Sequence, residues 1–231
     1  MKLQRFFIKQ ELKDGGEVNI NDADFVHQIF HVFRKKAGDE IILLDNTGYE
    51  FLAEIVSLNK KEANLNILNK KEVLNICKNE VILLASLIKK DKFEWVLEKC
   101  TELGVSGFVP VISERSEKKG LNIERARKII KEASEQSERG RMPEICEPID
   151  LEEALKGLNC EAVALHLNGG LFNIEKLKSI EKVGLFVGPE GGWGERDIAI
   201  FEKNNIPLIT LGSQVLRAET ASVAVSSKLL L

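Results

Sequence analysis

The sequence predicts a small all-β unit followed by a larger α/β unit, and two changes of pattern along the chain lead to that reading. Up to about residue 70, short apolar runs are separated by turn chemistry. From Glu80 onward, apolar strands alternate with amphipathic helices, the mark of a mostly parallel sheet covered by helices. With 231 residues, 44% of them apolar, the chain is long enough for one small and one medium domain.

In the first part, strands are expected at QRFFI (residues 4–8), 40–45, 49–58 and 62–68. Asp45-Asn46-Thr47-Gly48 supplies a turn between the second and third of these, which points to a small β-barrel or sandwich. A short helix is expected over Asp22 to Val32, because Asp22 can cap it and Phe25, Ile29 and Val32 recur at helical spacing. Asn69 to Asn79 is polar and aperiodic and reads as a linker, dividing the chain into domains 1–70 and 75–231. In the second part, strands are expected at Val81–Ile88, Phe108–Ile112, Ala162–Leu167, Val183–Val187 and Leu208–Leu211. Helices are expected at Phe93–Leu103, Ile123–Arg139, Leu151–Leu158, Glu195–Asn204 and Ala221–Leu231. A sheet of this kind binds its ligand at the carboxyl ends of its strands, so the loops there are where chemistry is to be sought.

Composition excludes several classes. The longest apolar runs fall well short of a membrane span. Lys9 and Glu11 interrupt the apolar start, so no signal peptide is read and a soluble, cytoplasmic protein is expected. Cys77, Cys100, Cys146 and Cys160 are too scattered for a zinc site or a disulfide framework and read as buried free thiols. His27 and His31 stand four apart, but no carboxylate pattern completes a metal site, so no metal is expected. A net charge of −3 excludes indiscriminate coating of nucleic acid. Between Arg115 and Arg141, however, nine Lys or Arg face five Glu, a segment that either meets a phosphate backbone or is a solvated helix face.

The strand VGLFV runs into Gly188-Pro189-Glu190-Gly191-Gly192-Trp193-Gly194 and then a helix opening at Glu195. Four glycines in seven residues at a strand end mean a strained turn or close backbone approach to a ligand. The spacing fails the dinucleotide fingerprint, and no Lys-Ser/Thr pair follows as a P-loop requires; Trp193, Glu195 and Asp197 also put aromatic and negative groups where phosphates would sit. What remains is a backbone-lined pocket for a neutral or cationic ligand, with Glu190 as a compensating charge. A sulfonium such as S-adenosylmethionine fits that description. A second strand end, Leu211-Gly212-Ser213-Gln214-Val215-Leu216-Arg217-Ala218-Glu219-Thr220-Ala221, gives a loop able to face the first.

VGPEGGWGERD and LGSQVLRAETA resemble the two C-terminal signature motifs of the RsmE family of 16S rRNA (uridine-N3) methyltransferases, within the SPOUT class. Arg5-Phe6-Phe7, residues 31–39, Lys99 to Val105, Ser113 to Ser116 and Glu135 to Arg139 resemble further landmarks in family order, so the resemblance covers nearly the whole chain. It implies an α/β SPOUT methyltransferase domain with a C-terminal trefoil knot, preceded by a small PUA-like β-barrel domain that helps hold RNA. Knots are nearly absent among proteins, so periodicity alone does not predict one. It further implies a homodimer, S-adenosylmethionine as cofactor and 16S rRNA in the small ribosomal subunit as partner. The cofactor residues implied are Leu165, His166, Leu167, Val187, Gly188, Pro189, Glu190, Gly191, Gly192, Leu211, Gly212, Val215, Leu216, Arg217, Ala218 and Thr220. Trp193 and Ala218 depart from the residues the family commonly has there.

Methylating N3 of uracil requires removing an imide proton and stabilising negative charge on the base carbonyls. Arg139 and Arg217 are the candidates to hold those carbonyls or a neighbouring phosphate, and Glu190 and Glu219 the candidate proton acceptors, with a water chain as the alternative. On a helix running to Arg139, Glu132, Gln136 and Arg139 share one flank. Arg5, Arg34, Arg115, Lys118, Lys119, Gln136 and Arg139 are the candidates for RNA contact. The alternatives are a non-catalytic RNA-binding assembly factor and a SPOUT enzyme acting on another base or a ribose oxygen.

Overall fold

A computed structural model of the chain describes residues 3–74, 79–116, 120–171 and 174–231. It divides into two compact units, Met1–Ile76 with Ser134–Met142, and Cys77–Ala133 with Pro143–Leu231.

The first unit is a five-stranded sheet of β1 (Arg5–Phe7), β2 (Gly16–Ile20), β3 (Glu40–Leu44), β4 (Tyr49–Leu58) and β5 (Ala63–Glu72), in the order β1-β3-β4-β5-β2. β1 runs parallel to β3 and the remaining pairs are antiparallel. Strand β2 was not expected from the sequence. Its composition, GEVNI, is half polar because only Ile20 turns fully into the core. The β3–β4 turn forms as its residues dictate: Asn46 and Gly48 take left-handed conformations, and Asp45 Oδ1 accepts hydrogen bonds from the Thr47 amide (3.1 Å) and hydroxyl (2.5 Å). Asp22 caps α1 (Ala23–His27), its Oδ1 accepting from the Asp24 and Phe25 amides. The helix then passes into one π-helical turn, Gln28–Val32. His27 and His31 stack within that stretch at 5.2 Å. The core joins Phe6, Phe25, Ile29, Ile41, Leu43, Phe51, Ile55 and Leu65.

Two expectations need correction here. The linker does not begin at Asn69, since Asn69 to Glu72 continue β5 opposite Leu52 to Tyr49. The stretch reads as polar because its side chains line an open face, where the Lys70 ammonium lies over the Tyr49 ring at 4.1 Å. The remainder of the expected linker, residues 75–78, lies outside the described residues. Nor does the division of the chain into 1–70 and 75–231 have a counterpart for Ser134–Met142, which belongs to the first unit. Specific bonds explain that membership. Glu135 Oε1 accepts the Phe7 amide (2.8 Å), Glu138 pairs with Arg5 (3.2 Å), Arg141 donates to the Thr47 carbonyl (3.0 Å), and Met142 packs on Phe7, Ile42 and Leu44.

The second unit carries a seven-stranded sheet whose pairs are all parallel. Its strands are β6 (Glu80–Ser86), β7 (Gly107–Ile112), β8 (Glu144–Ile145), β9 (Ile149–Asp150), β10 (Glu161–Leu171), β11 (Lys182–Val187) and β12 (Leu208–Thr210). The order is β12-β10-β11-β6-β7-β8, with β9 also on β7. The helices are α2 (Lys90–Leu103), α3 (Ile123–Gln136), α4 (Leu151–Lys156), α5 (Ile174–Lys178), α6 (Glu195–Lys203) and α7 (Ala218–Leu230). The two-residue strands β8 and β9 and the helix α5 are too short to leave a period in the sequence. Helix α3 stops at Gln136 rather than Arg139, because Glu138 turns left-handed (φ 61°) and the Arg139 amide closes back on the Ser134 carbonyl at 3.0 Å. Arg139 therefore does not share a helical flank with Glu132. Helix α7 starts three residues earlier than its apolar run suggests, taking Glu219 into its first turn.

Buried free thiols were expected throughout, yet Cys146 is exposed and Cys160 half-buried; Cys77 lies outside the described residues. Only Cys100, where α2 packs against α7, is fully buried, with the Ser226 hydroxyl 3.8 Å from its sulfur. Burial pushes its thiol up to about 12, with the Ser226 contact acting weakly in the other direction. The unfolded chain releases this proton near pH 9 and the folded chain does not, so stability falls as pH rises from about 9 towards 12, by at most about 1.4 kcal/mol per pH unit. In denaturant titrations between pH 8 and 10.5, the midpoint of the wild type should drop more steeply than that of Cys100→Ala; parallel slopes would contradict this account.

Candidate functional site

Three adjacent parallel strands, β12, β10 and β11, end on the same side of the sheet, and the loops that leave them enclose a cavity of roughly 350 Å³. That volume lies within the range of small-molecule sites. One wall is Leu165 to Leu167 of β10, a second is Val187 to Trp193, and the third runs from Ile209 through Leu211, Gln214, Val215 and Leu216 to Ala218 and Ala221.

Each wall has a local cause. β10 bulges after Leu165, so that Leu165 and Gly170 both pair with Ile209 and residues 166–169 loop outward. Gly169 is required in that bulge, because a Cβ there would lie 2.5 Å from the Ile209 backbone, which cannot move aside. The glycine loop turns through Pro189 to Gly192, whose amide bonds to the Pro189 carbonyl at 2.9 Å. Trp193 lies under that loop, almost fully buried. Its Nε1–H donates to the Leu165 carbonyl at 2.9 Å, and its ring packs edge-on against Phe201 at 4.9 Å. The indole thus ties the glycine loop to the bulge of β10.

Outside the loop, Asp197 is 3% exposed and accepts the Gly194 amide (3.0 Å) and the Glu114 amide (3.2 Å), while Glu114 returns Oε2 to the Arg196 amide (3.0 Å). A Cβ on Gly194 would overlap the Glu114 carboxylate, so a larger residue there would push the Glu114 side chain out of its place. This clamp places the neighbouring Arg115 against the loop, where Nη1 donates to the Gly191 carbonyl at 2.9 Å. Asp197, one of the two acidic residues that argued against phosphate, therefore serves the loop's own Gly194 amide.

Most of the residues expected at the cofactor line this cavity: Leu165, His166, Leu167, Val187, Gly188, Pro189, Glu190, Gly191, Gly192, Leu211, Val215, Leu216 and Ala218. Gly212, Arg217 and Thr220 lie in the same loop and helix start but are not in its lining; Arg217 is exposed between two residues that are. Of the two candidate acids, Glu190 lines the cavity and Glu219 does not. Glu219 instead pairs with Lys92 of α2 (3.6 Å), which also reaches Glu190 (3.3 Å).

The candidates for RNA are dispersed. Arg115 belongs to the cavity wall. Arg5 is half-buried between Glu50 (3.4 Å) and Glu138 (3.2 Å), ion pairs that engage the guanidinium assigned to RNA phosphate. Arg34 is exposed in a left-handed conformation, Gln136 is exposed, and Arg139 Nε donates to the Arg141 carbonyl at 3.2 Å. Gln136 and Arg139 belong to the first unit. Lys118 and Lys119 lie outside the described residues. Lys92, Gln214 and the indole of Trp193 as a wall were not anticipated. Lys92 stands 98 residues before Glu190, just ahead of the helix expected over Phe93–Leu103, and no local signal connects the two.

Among the described residues, no group of three or more His, Cys, Asp or Glu is placed to hold a metal ion. In the same residues, no helix is long and apolar enough to cross a membrane.

Residues 75–230 match a family model described as an RNA methyltransferase domain, and residues 20–68 match an RNA methyltransferase PUA domain. The second unit thus has a SPOUT-like methyltransferase fold and the first is PUA-like. Curated relatives include the ribosomal RNA small subunit methyltransferase E of Rickettsia conorii, 31% identical over 96% of this chain and 93% of that protein. That of Bacillus subtilis is 30% identical over 95% and 93%. The chain belongs to the ribosomal RNA small subunit methyltransferase E family. Among solved structures, the Neisseria gonorrhoeae member bound to S-adenosyl methionine superposes with a TM-score of 0.90, at 28% identity, over 98% of this chain and 96% of that one. A Legionella pneumophila protein in complex with the bound cofactor SAM gives 0.89, at 26% identity, over 99% and 97%.

Trp193→Phe keeps the ring contact with Phe201 but removes the bond to Leu165. Chemical denaturation should show a loss of about 1 kcal/mol, whereas Trp193→Ala should cost about 3–5 kcal/mol. No loss in Trp193→Phe would mean that the hydrogen bond contributes nothing, and equal losses in the two variants would mean that the ring contact contributes nothing.

Proposed function

We propose that this chain transfers the methyl group of S-adenosylmethionine to N3 of one uridine of 16S rRNA in the small ribosomal subunit. The observation that carries this reading is the cavity at the three strand ends, with apolar walls, a backbone-lined glycine loop and one carboxylate at its edge. Such a lining suits a nucleoside with an attached cation. Leu165, Leu211, Val215 and Leu216 offer apolar surface to an adenine ring, and loop amides and carbonyls offer its hydrogen bonds. Glu190 supplies the compensating charge, and the failed phosphate patterns agree with it. Gly212, Arg217 and Thr220 complete the proposed cofactor set. The relatives' names and the two cofactor-bound structures support the same reading.

When bound, the cofactor supplies an electrophilic methyl on a sulfonium. This chain's part is to orient the uracil, take up the N3 proton and exclude water. Glu190, which lines the cavity, is the proposed proton acceptor in preference to Glu219. Arg217, exposed at the start of α7, and Arg139 are proposed to hold the base carbonyls or an adjacent phosphate. Arg34, Lys118, Lys119 and Gln136 are proposed contacts along the RNA.

The finer parts of the reading have their own support. For the trefoil knot, β12 lies at the sheet edge, yet the α7 that follows packs on β6 and β11 in its middle. For the homodimer, Leu167 (57% exposed), Leu171 (90%) and Val215 (77%) leave apolar side chains uncovered. Closure of the first unit's sheet into a barrel is supported by its PUA likeness, and a location in the cytoplasm is supported by the proposed ribosomal substrate.

Incubating the protein with labelled cofactor and small subunits lacking the modification should give one new mark at a uridine N3. Arg139→Ala and Arg217→Ala should each lower turnover by roughly tenfold to a hundredfold. A mark on a ribose oxygen or another base would replace the proposed specificity. Cofactor binding without transfer would overturn catalysis in favour of an RNA-binding role, and wild-type turnover in both variants would remove the arginines from the mechanism.

A further inference from the structure

Behind the cavity, three charged side chains from three separate elements meet. Lys92 of α2 places its ammonium 3.3 Å from Glu190 Oε1 of the glycine loop and 3.6 Å from Glu219 Oε1 at the start of α7. Their side chains are 25%, 25% and 14% exposed respectively. Only Glu190 lines the cavity. The second oxygen of Glu219, Oε2, is buried with no hydrogen-bond partner, so the carboxylate is not held by any network of its own and Lys92 is the cation it faces.

The charge balance has a consequence at the cavity. An ammonium paired with Glu190 alone would cancel the only carboxylate the cavity wall presents. Two carboxylates sharing one ammonium leave this three-residue cluster with a net charge of −1, which offsets the Arg115 guanidinium in the same cavity wall and keeps the wall from repelling a cation. The geometry also anchors the glycine loop, whose backbone is permissive, to two helices through a side chain.

We infer that Lys92 and Glu219 are positioning residues that fix Glu190 and preserve its charge, and so set the site's preference for a sulfonium cofactor over the thioether product left after transfer. The two ligands differ by one positive charge and a methyl group. A carboxylate that never touches the ligand thereby weakens product binding relative to cofactor binding, and favours exchange after each turnover. This inference rests on the reading that the cavity takes S-adenosylmethionine.

The test is calorimetric titration of the full chain with S-adenosylmethionine and, separately, with S-adenosylhomocysteine, read as the ratio of the two Kd values. Glu219→Gln keeps shape and removes one charge. It should reduce the preference for the sulfonium roughly three- to tenfold, with the thioether affinity nearly unchanged, which also reports an intact cavity. Adding Lys92→Met to Glu219→Gln returns the net charge to −1 and should restore most of the ratio, while Lys92→Arg should preserve it. A Glu219→Gln variant that weakens both ligands equally, or neither, overturns the inference and leaves the cofactor reading standing. A wild-type protein that binds neither ligand removes both.

Discussion

The bond from the Trp193 indole to the Leu165 carbonyl is the constraint on which the cavity depends. β10 bulges just after Leu165, so a carbonyl that a regular strand would offer to its neighbour needs a donor from elsewhere. Trp193 provides it from the opposite loop, while its ring packs on Phe201 of α6 in the same core that holds Phe186 of β11. One side chain thus satisfies the bulge, supports the glycine loop from below and fixes the start of α6. A smaller aromatic without the N–H would support the loop but leave the carbonyl to water or to nothing.

The outer side of the loop is held by different physics. Asp197 is almost fully buried and would be costly there as a free carboxylate, but it receives amide donors from Gly194 and Glu114. Glu114 in turn caps the amide of Arg196, so two segments more than 80 residues apart are joined by reciprocal carboxylate-to-amide bonds. The glycine loop is therefore held from beneath by an apolar ring and from outside by charge. Apart from the Gly192 and Gly194 amides and the Pro189 and Gly191 carbonyls, which are bonded within the protein, the loop's main-chain groups are what a pocket built from main chain offers a ligand.

Much of this was legible in the sequence, and the reasons follow the length scale of each signal. The long strands and helices of the α/β unit announce themselves by period, and the two glycine-bearing strand ends mark the walls of the cavity because only a backbone approached closely needs such residues. β2, β8, β9 and α5 escaped because two to five residues carry no period. The return of Ser134–Met142 to the first unit also escaped. It depends on bonds such as Glu135 to the Phe7 amide and Met142 to Asn46, which link positions some 96 to 128 residues apart. Lys92 was invisible for the same reason. A lysine on an amphipathic helix has the same appearance whether it meets water or two carboxylates from other elements.

Charge conservation links the proposed chemistry to the arrangement of these three side chains. Before transfer, Glu190 is negative and the uracil neutral. Once the N3 proton has moved to Glu190, the carboxyl is neutral and the uracil carries the negative charge, so the total beside the cation in the cavity is unchanged while its location has shifted to the nucleophile. For that shift to be cheap, Lys92 must not be left without a carboxylate when Glu190 loses its charge. Glu219, whose carboxylate lies 3.6 Å from the same ammonium, would meet that need. With Glu219 absent, protonating Glu190 would leave an uncompensated ammonium beside a sulfonium, raising the energy of the state from which transfer occurs. On the proposed mechanism the second carboxylate would serve the proton step as well as binding, even though it lies outside the cavity.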